Sequence, residues 1–169
     1  MKQTLVILRG AAGSGKTTLS EKLRNYDKKI VWLSIDKMKV IFSNFEDRTL
    51  EDTNKASIAQ LRYLLGRGYS VVYEGIFKNT DYVYQAVKIA KNRNIPVTVY
   101  QLKCSLNTLK NRDKTREGVR EGYRKPLGDE LIGSIYRTNI SNPLIGAIEL
   151  DTENKSLEEC LEIIRKDFD

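Results

Sequence analysis

Residues Gly10 to Thr17 carry the most specific chemical pattern in this sequence. They read Gly-Ala-Ala-Gly-Ser-Gly-Lys-Thr, which satisfies the pattern G-x-x-x-x-G-K-[ST]. Glycines let the backbone curl so that successive N–H groups point inward at phosphate oxygens, and the N-terminus of a following helix adds the positive end of its dipole. The pattern therefore predicts a loop that binds the phosphates of a nucleotide, with a chance glycine-rich turn as the alternative.

Two side chains of this loop are expected to do chemistry as well as bind. Lys16 should reach the β- and γ-phosphates, and the hydroxyl of Thr17 should bind Mg²⁺. We therefore predict a nucleoside triphosphate and Mg²⁺ as ligands, with Lys16 as a catalytic residue. The residues expected to contact the nucleotide are Gly10, Ala11, Ala12, Gly13, Ser14, Gly15, Lys16, Thr17 and Thr18.

Acidic residues follow two other apolar runs. Asp36 comes just after residues 30–34, and Glu74 ends the run 69–73. Because ligands of an open parallel sheet gather at the carboxyl ends of its strands, Asp36 could accept a hydroxyl proton or bind Mg²⁺, and Glu74 could support Mg²⁺ or the substrate. The structural alternatives are that Asp36 caps a helix at residues 37–43 and that Glu74 is an ordinary carboxylate at a strand end.

A basic segment lies between residues 110 and 125, with seven Lys or Arg against three Asp or Glu. Within it, Arg112 and Arg116 are four residues apart and therefore share one helical face. Their guanidinium groups could stack on a base and clamp the phosphates that are being transferred, so both are predicted to be catalytic. The alternative is a solvated helix face that also carries Glu117 and Glu121.

The composition limits the chemistry that the chain can perform. Its 169 residues include no histidine, which excludes His-based triads and metal sites, so acid–base work must fall to Asp, Glu, Lys or Tyr. Cys104 and Cys160 are too few for a disulfide framework. The net charge of +7 favours anionic partners. No apolar run approaches the ~20 residues of a membrane span. We expect a cytoplasmic protein that does not enter membranes.

Apolar runs and helical spacing alternate along the chain. Strands are predicted at residues 5–8, 30–34, 69–73, 97–102 and 145–150. Helices are predicted at residues 18–25, 37–43, 53–65, 80–94, 127–139 and 157–168, with another after Ser105 and a loop at 44–52. Strands that alternate with helices predict an α/β protein with a parallel sheet, and the lack of repeats or linkers indicates one domain over residues 1–169.

Together these residues resemble the small P-loop kinases grouped around polynucleotide kinase, zeta toxin and chloramphenicol phosphotransferase. The motifs that carry the resemblance are Gly10–Thr17, Leu33-Ser34-Ile35-Asp36, Val71-Val72-Tyr73-Glu74-Gly75, Leu109-x-x-Arg112-x-x-x-Arg116 and Leu150-Asp151-Thr152. The resemblance covers nearly the whole chain. It implies a three-layer P-loop NTPase fold, with a five-stranded parallel sheet flanked by helices and a basic lid at about residues 110–126.

The resemblance also implies roles for individual residues. Asp36 matches the general base that activates the acceptor hydroxyl, Arg112 and Arg116 match lid arginines that hold adenine and phosphates, and residues 151–155 match the loop beside the adenine. Polynucleotide kinases carry Asp-x-x-Arg after the second strand, whereas this chain has Lys39 at the arginine position. Lys39 is expected to face the acceptor, but lysine lacks the bidentate fork of arginine, which weakens the case for a nucleic acid acceptor.

The activity implied is the ATP-dependent transfer of a γ-phosphate to a hydroxyl of a small molecule, a nucleotide sugar or a polynucleotide end. The alternative is a nucleic-acid-binding NTPase without kinase activity, which would need basic residues interleaved with aromatic ones, and the basic segment offers only Tyr123. A GTPase would need Asn-Lys-x-Asp, and Asn54-Lys55-Ala56-Ser57 lacks the aspartate. The sequence leaves the acceptor and the oligomeric state open.

Overall fold

A parallel sheet forms the centre of the computed structural model, which describes residues 2–42, 47–115 and 126–169. Its strands are β1 (Leu5–Arg9), β2 (Ile30–Ser34), β3 (Ser70–Gly75), β4 (Val97–Lys103) and β5 (Ile148–Asp151). They lie in the order β2-β3-β1-β4-β5, and every neighbouring pair is parallel. The prediction of a five-stranded parallel sheet is therefore confirmed.

Helices follow the strands along the chain. They are α1 (Lys16–Arg24), α2 (Ile35–Lys39), α3 (Asp47–Gly66), α4 (Asp81–Lys91), α5 (Leu106–Lys114), α6 (Asp129–Ser141) and α7 (Leu157–Arg165). The bounds predicted from helical spacing agree to within a few residues for most of them, and α3 and α2 are the exceptions.

The central strand shows how the layers form. Alternate side chains of a strand point to opposite faces, and in β1 both faces are buried. Leu5 and Ile7 join the hydrophobic cluster formed by α3 and α4, whereas Val6 and Leu8 join the cluster formed by α1 and α7. A strand that is covered on both sides in this way is the middle of a three-layer α/β fold.

The loop predicted at residues 44–52 is wrong for residues 47–52, because α3 begins at Asp47, and residues 44–46 lie outside the described residues. The polar composition of this stretch had suggested a loop. In the structure the Thr53 hydroxyl donates to the Thr49 carbonyl at 2.6 Å, and the Asn54 amide donates to the Leu50 carbonyl at 2.8 Å. These side chains bond back to the preceding turn, so a polar segment remains compatible with a helix.

The prediction that Asp36 caps a helix at residues 37–43 is also wrong. The helix α2 begins two residues earlier, and its N-cap is Ser34, whose Oγ accepts the N–H of Lys37 at 3.3 Å. Serine caps helices about as well as aspartate, and Ser34 has the extended backbone that a cap requires. Asp36 thus lies in the first turn of α2, where its charge favours the helix dipole and its carboxylate remains available for other work.

None of the helices that the structure describes combines the length and the apolar character needed to cross a membrane.

Candidate active site

A cavity of about 1230 Å³ opens where the strands end. The segments that follow β1, β2, β3 and β5 all contribute to its wall, as expected for a parallel sheet. The residues predicted to be functional that line it are Ala12, Gly13, Gly15, Lys16, Thr17, Thr18, Asp36, Lys39 and Arg112. The remaining predicted residues in the described part, Gly10, Ala11, Ser14 and Glu74, are not part of its lining.

The loop between β1 and α1 takes the conformation that its glycines permit. Gly13 and Gly15 have φ values of 86° and 92°, in the left-handed region that other residues rarely adopt. Gly15 is the N-cap of α1, and no side chain caps this helix. No side chain therefore competes with an anion for the N–H groups at the start of α1.

Lys16 is held against this loop rather than extended into solvent. Its side chain is buried, and its Nζ donates to the Ala11 carbonyl at 2.8 Å and to the Ser14 hydroxyl at 3.5 Å. The ammonium group thus lies directly beside the backbone that is expected to surround the phosphates. Its role in binding the phosphates stays a prediction.

Glu74 lies beneath the loop and against α1, although it was predicted to contact substrate. It is 1% exposed, and the Thr17 hydroxyl donates to its Oε1 at 3.5 Å. Burial raises the pKa of Glu74, while the positive charge of Lys16 acts in the opposite direction. Its Oε2 is buried without a hydrogen-bond partner among the described residues. A buried carboxylate with an unused oxygen calls for a cation or a proton nearby.

These oxygen atoms fit the needs of Mg²⁺. Magnesium prefers oxygen ligands, keeps several waters, and is bound through one or two protein groups together with phosphates. The Thr17 hydroxyl and the Glu74 carboxylate are adjacent, and Asp36 is close enough to influence the pKa of Glu74. Among the residues that the structure describes, no group of three or more Cys, Asp and Glu side chains is arranged to hold a metal ion alone.

Asp36 and Lys39 form an ion pair on the wall of the cavity. Lys39 Nζ lies 2.9 Å from Asp36 Oδ1, and their side chains are 21% and 44% exposed, respectively. Lys39 was predicted to contact the acceptor, and it does line the cavity. It also fixes the orientation of the carboxylate that was predicted to act as the base.

Arg112 connects the phosphate loop with the segment after β5. Its Nη1 donates to the Gly13 carbonyl at 3.3 Å, and its Nη2 donates to the Thr152 carbonyl at 2.7 Å. The guanidinium therefore lies where the structure brings the loop and residues 151–155 together. Arg116, its predicted companion, and most of the predicted lid at residues 110–126 lie outside the described residues, which exclude 116–125.

Several residues of the site belong to no motif of the sequence. Residues 76–79 and Tyr82 line the cavity in this way, whereas Lys155, which also lines it, belongs to the loop predicted beside the adenine. Arg9, the residue before the loop, reads as the polar end of a strand but is completely buried. Position after a strand end was a usable signal for residues 76–79, whereas the hydrogen bonds of the buried Arg9 go to the Phe77 carbonyl and the Gln101 side chain, both more than 60 residues away.

The sheet order and the glycine loop after the central strand define a three-layer P-loop α/β protein. The chain belongs to the AAA_33 family, described as an AAA domain, whose family model matches residues 5–128. No curated protein gives a significant match to the sequence.

Solved structures share the fold at low sequence identity. A sugar kinase from a Janibacter species has a TM-score of 0.72 at 18% identity, over 98% of this chain and 94% of that chain. A gluconokinase from Sinorhizobium meliloti has a TM-score of 0.66 at 15% identity, over 98% and 94%. A chain of the Pnkp1/Rnl/Hen1 RNA repair complex has a TM-score of 0.67 at 19% identity, over 83% of this chain and 45% of that chain.

Proposed function

We propose that this protein is an ATP-dependent phosphotransferase that moves a γ-phosphate to the hydroxyl of an acceptor. The observation that carries the proposal is the placement of Lys16, Thr17 and Asp36 on the wall of one cavity, with the buried Glu74 carboxylate bonded to the Thr17 hydroxyl. One side has the groups that hold phosphates, and the other has a carboxylate that can accept a proton. Family membership and the fold shared with kinases support this reading.

On the nucleotide side, the loop amides and the uncapped start of α1 bind the β- and γ-phosphates. Lys16 exchanges the Ala11 carbonyl for phosphate oxygens and neutralises the charge that develops during transfer. Arg112 holds the loop against residues 151–155, beside the position of the adenine. The Thr17 hydroxyl and the carboxylates of Glu74 and Asp36 would hold Mg²⁺, which would neutralise phosphate charge when bound.

On the acceptor side, Asp36 receives the hydrogen bond of the acceptor hydroxyl. The acceptor oxygen forms a bond to the γ-phosphorus as the bond from that phosphorus to the bridging β,γ-oxygen breaks. The hydroxyl proton passes to Asp36, and ADP leaves with the bridging oxygen. Lys39 keeps the carboxylate directed into the cavity through the 2.9 Å ion pair.

The cavity is larger than one small ligand requires. Typical pockets for small molecules measure about 300–1,000 Å³, and this one measures about 1230 Å³, which suits a nucleotide together with an acceptor. We retain the acceptor classes of the polynucleotide kinase, zeta toxin and chloramphenicol phosphotransferase group: a small molecule, a nucleotide sugar or a polynucleotide 5′ end. The sugar kinase and gluconokinase neighbours favour testing small hydroxyl compounds first.

The test is incubation with γ-labelled ATP, Mg²⁺ and separate acceptor pools. The pools are sugars and sugar acids, nucleotide sugars, nucleosides, 5′-hydroxyl oligonucleotides, and aminoglycoside or amphenicol drugs. We expect labelled product from at least one pool with the wild type and none with Lys16→Ala. ATP hydrolysis that oligonucleotides stimulate without labelling, with binding that weakens steeply in salt, would instead support a nucleic-acid-binding NTPase.

A further inference from the structure

Arg9, the last residue of β1, is a buried cation that the proposed reaction does not use. It is 0% exposed and takes part in no ion pair within the described part of the chain. Burial lowers the pKa of its guanidinium, which shows how poorly the site replaces water around the charge. Its Nη2 has no hydrogen-bond partner among the described residues. Such a group is costly to bury, so its presence calls for an explanation.

The bonds of Arg9 reach away from the phosphate loop. Its Nε donates to the Phe77 carbonyl at 3.4 Å, and its Nη1 donates to Gln101 Oε1 at 2.8 Å. The Gln101 amide in turn donates to Asn139 Oδ1 at 3.5 Å, and Asn139 belongs to α6. Arg9 therefore connects the segment after β3, the end of β4 and the helix that contributes Ile135 to the cavity wall.

Phe77 depends on this support because its backbone is unusual. Its φ is 46°, a left-handed value that is unfavourable for an aromatic residue. The ring is buried and meets the ring of Tyr73 edge-on, with centroids 4.9 Å apart. The Phe77 carbonyl can point at Arg9 only while this turn is kept, so the Arg9 hydrogen bond and the strained turn stabilise each other.

The ring of Phe77 lies close to α2, the helix that carries the proposed base Asp36. A Cβ built on Gly75 would lie 3.2 Å from the Phe77 ring and 2.9 Å from Ile35 Cγ1. Both side chains therefore pack directly over Gly75, and both belong to the same hydrophobic cluster. Ile35 immediately precedes Asp36. A displacement of Phe77 would thus be transmitted to the start of α2 through close-packed side chains.

We propose that Arg9 is a positioning residue for phosphoryl transfer, which holds Phe77 and α6 in place and, through Phe77 and Ile35, sets the position of Asp36. This inference rests on the proposed function of Asp36. It assigns Arg9 to the acceptor side, although Arg9 precedes Gly10 directly in the sequence. An alternative role in shaping the phosphate loop has less support, because the Arg9 side chain donates to Phe77 and Gln101 and not to the loop at residues 10–17.

The test compares Arg9→Met, Arg9→Lys and Gln101→Leu with the wild type. In Arg9→Met, the affinity for a non-hydrolysable ATP analogue with Mg²⁺ should stay within about threefold of the wild type. The rate of transfer at saturating ATP should fall at least tenfold, because misplacing a reacting group by about 1 Å can lower a rate by a hundredfold. Arg9→Lys should recover part of the loss. Hydrogen exchange should accelerate in residues 35–42 and 76–82, and it should not change in residues 10–17.

The matched control is Thr98→Val, which removes a 2.8 Å bond from Thr98 to Asp167 near the opposite end of β4. It should lower the unfolding temperature without changing transfer. The inference is overturned if Arg9→Met loses ATP-analogue affinity and transfer in parallel. It is also overturned if hydrogen exchange in residues 35–42 and 76–82 does not change. If Arg9→Met does not fold, Gln101→Leu gives the same comparison with Arg9 intact. If the wild type labels no acceptor, the proposed function is contradicted. The hydrogen-exchange measurement does not depend on transfer, so it tests the positioning role of Arg9 separately.

Discussion

Two helices begin beside the same cavity, and their N-termini are satisfied in different ways. The first, α1, begins at Lys16 after Gly15, and no side chain caps it. The second, α2, begins at Ile35, and the Ser34 hydroxyl accepts the N–H of Lys37. The first N–H groups of a helix lack partners within the helix. In α1 no side chain accepts them, so a ligand can, whereas in α2 the Ser34 hydroxyl accepts one of them.

This difference indicates a division of work between the two sides of the cavity. Under the proposed function, the α1 side would bind an anion through backbone groups and the ammonium of Lys16. The α2 side would present the carboxylate of Asp36, paired with Lys39, to a neutral hydroxyl. Under this division, a substitution on the α1 side should change nucleotide affinity and transfer together, and a substitution on the α2 side should change transfer alone.

The largest effect should come from Lys16→Ala. It removes the only loop cation, so transfer should fall on the order of a thousandfold and ATP affinity should fall with it. Lys22, an exposed lysine of the same helix, supplies the control Lys22→Ala, which should keep both quantities. Calorimetric titration with an ATP analogue and a product assay measure the two effects. Normal transfer in Lys16→Ala would show that the loop does not bind the reacting phosphates.

The next largest effect should come from Asp36→Asn. Asparagine keeps the shape but cannot accept the proton, so transfer should fall roughly a hundredfold or more. ATP affinity should stay within about threefold. Asp36→Ala should match Asp36→Asn in unfolding free energy to within about 1 kcal/mol, because Ser34 rather than Asp36 caps α2 and the ion pair with Lys39 is partly exposed.

Asp36 would lose its assigned role if Asp36→Asn turned over at the wild-type rate. Glu74 would then be the remaining carboxylate near Lys16 and Thr17. Its burial makes it a poor contact for an acceptor, so a base at residue 74 would require the site to open.

A smaller effect is expected from Arg112→Lys. The fork of Arg112 reaches the carbonyls of Gly13 and Thr152 together, and lysine cannot span both. Losing one charged hydrogen bond costs about 1.5–3 kcal/mol, so nucleotide affinity and transfer should both fall roughly 10–150-fold. Lys114→Ala, on the same helix but paired with Asp129 at 3.9 Å, should leave both unchanged. Equal activity of the Lys and Arg forms would show that only charge matters at residue 112.

The two sides also differ in how far the sequence predicts them. The phosphate loop is a local motif, and the strands alternate with helices, so the sheet and the positions of Lys16 and Thr17 could be predicted. The acceptor side forms from distant segments. Serine and aspartate are equally good N-caps, so residue type alone could not decide whether Ser34 or Asp36 caps α2. The hydrogen bonds of the buried Arg9 go to Phe77 and Gln101, which no spacing rule connects.

The smallest effect, and the one that sharpens the comparison most, should come from Ser34→Ala. Loss of the cap should lower the unfolding free energy by about 1 kcal/mol. Ser156 caps α7 in a capping box with Glu159, so Ser156→Ala should cost a similar amount. The helix α7 carries neither Asp36 nor Lys39. Transfer should therefore drop several-fold in Ser34→Ala and less than about twofold in Ser156→Ala, with ATP-analogue affinity kept in both. Chemical denaturation, titration and the product assay on the two variants decide the matter. If transfer falls equally in both, the cap of α2 contributes only stability, and the orientation of Asp36 depends on Ile35 and Lys39 instead.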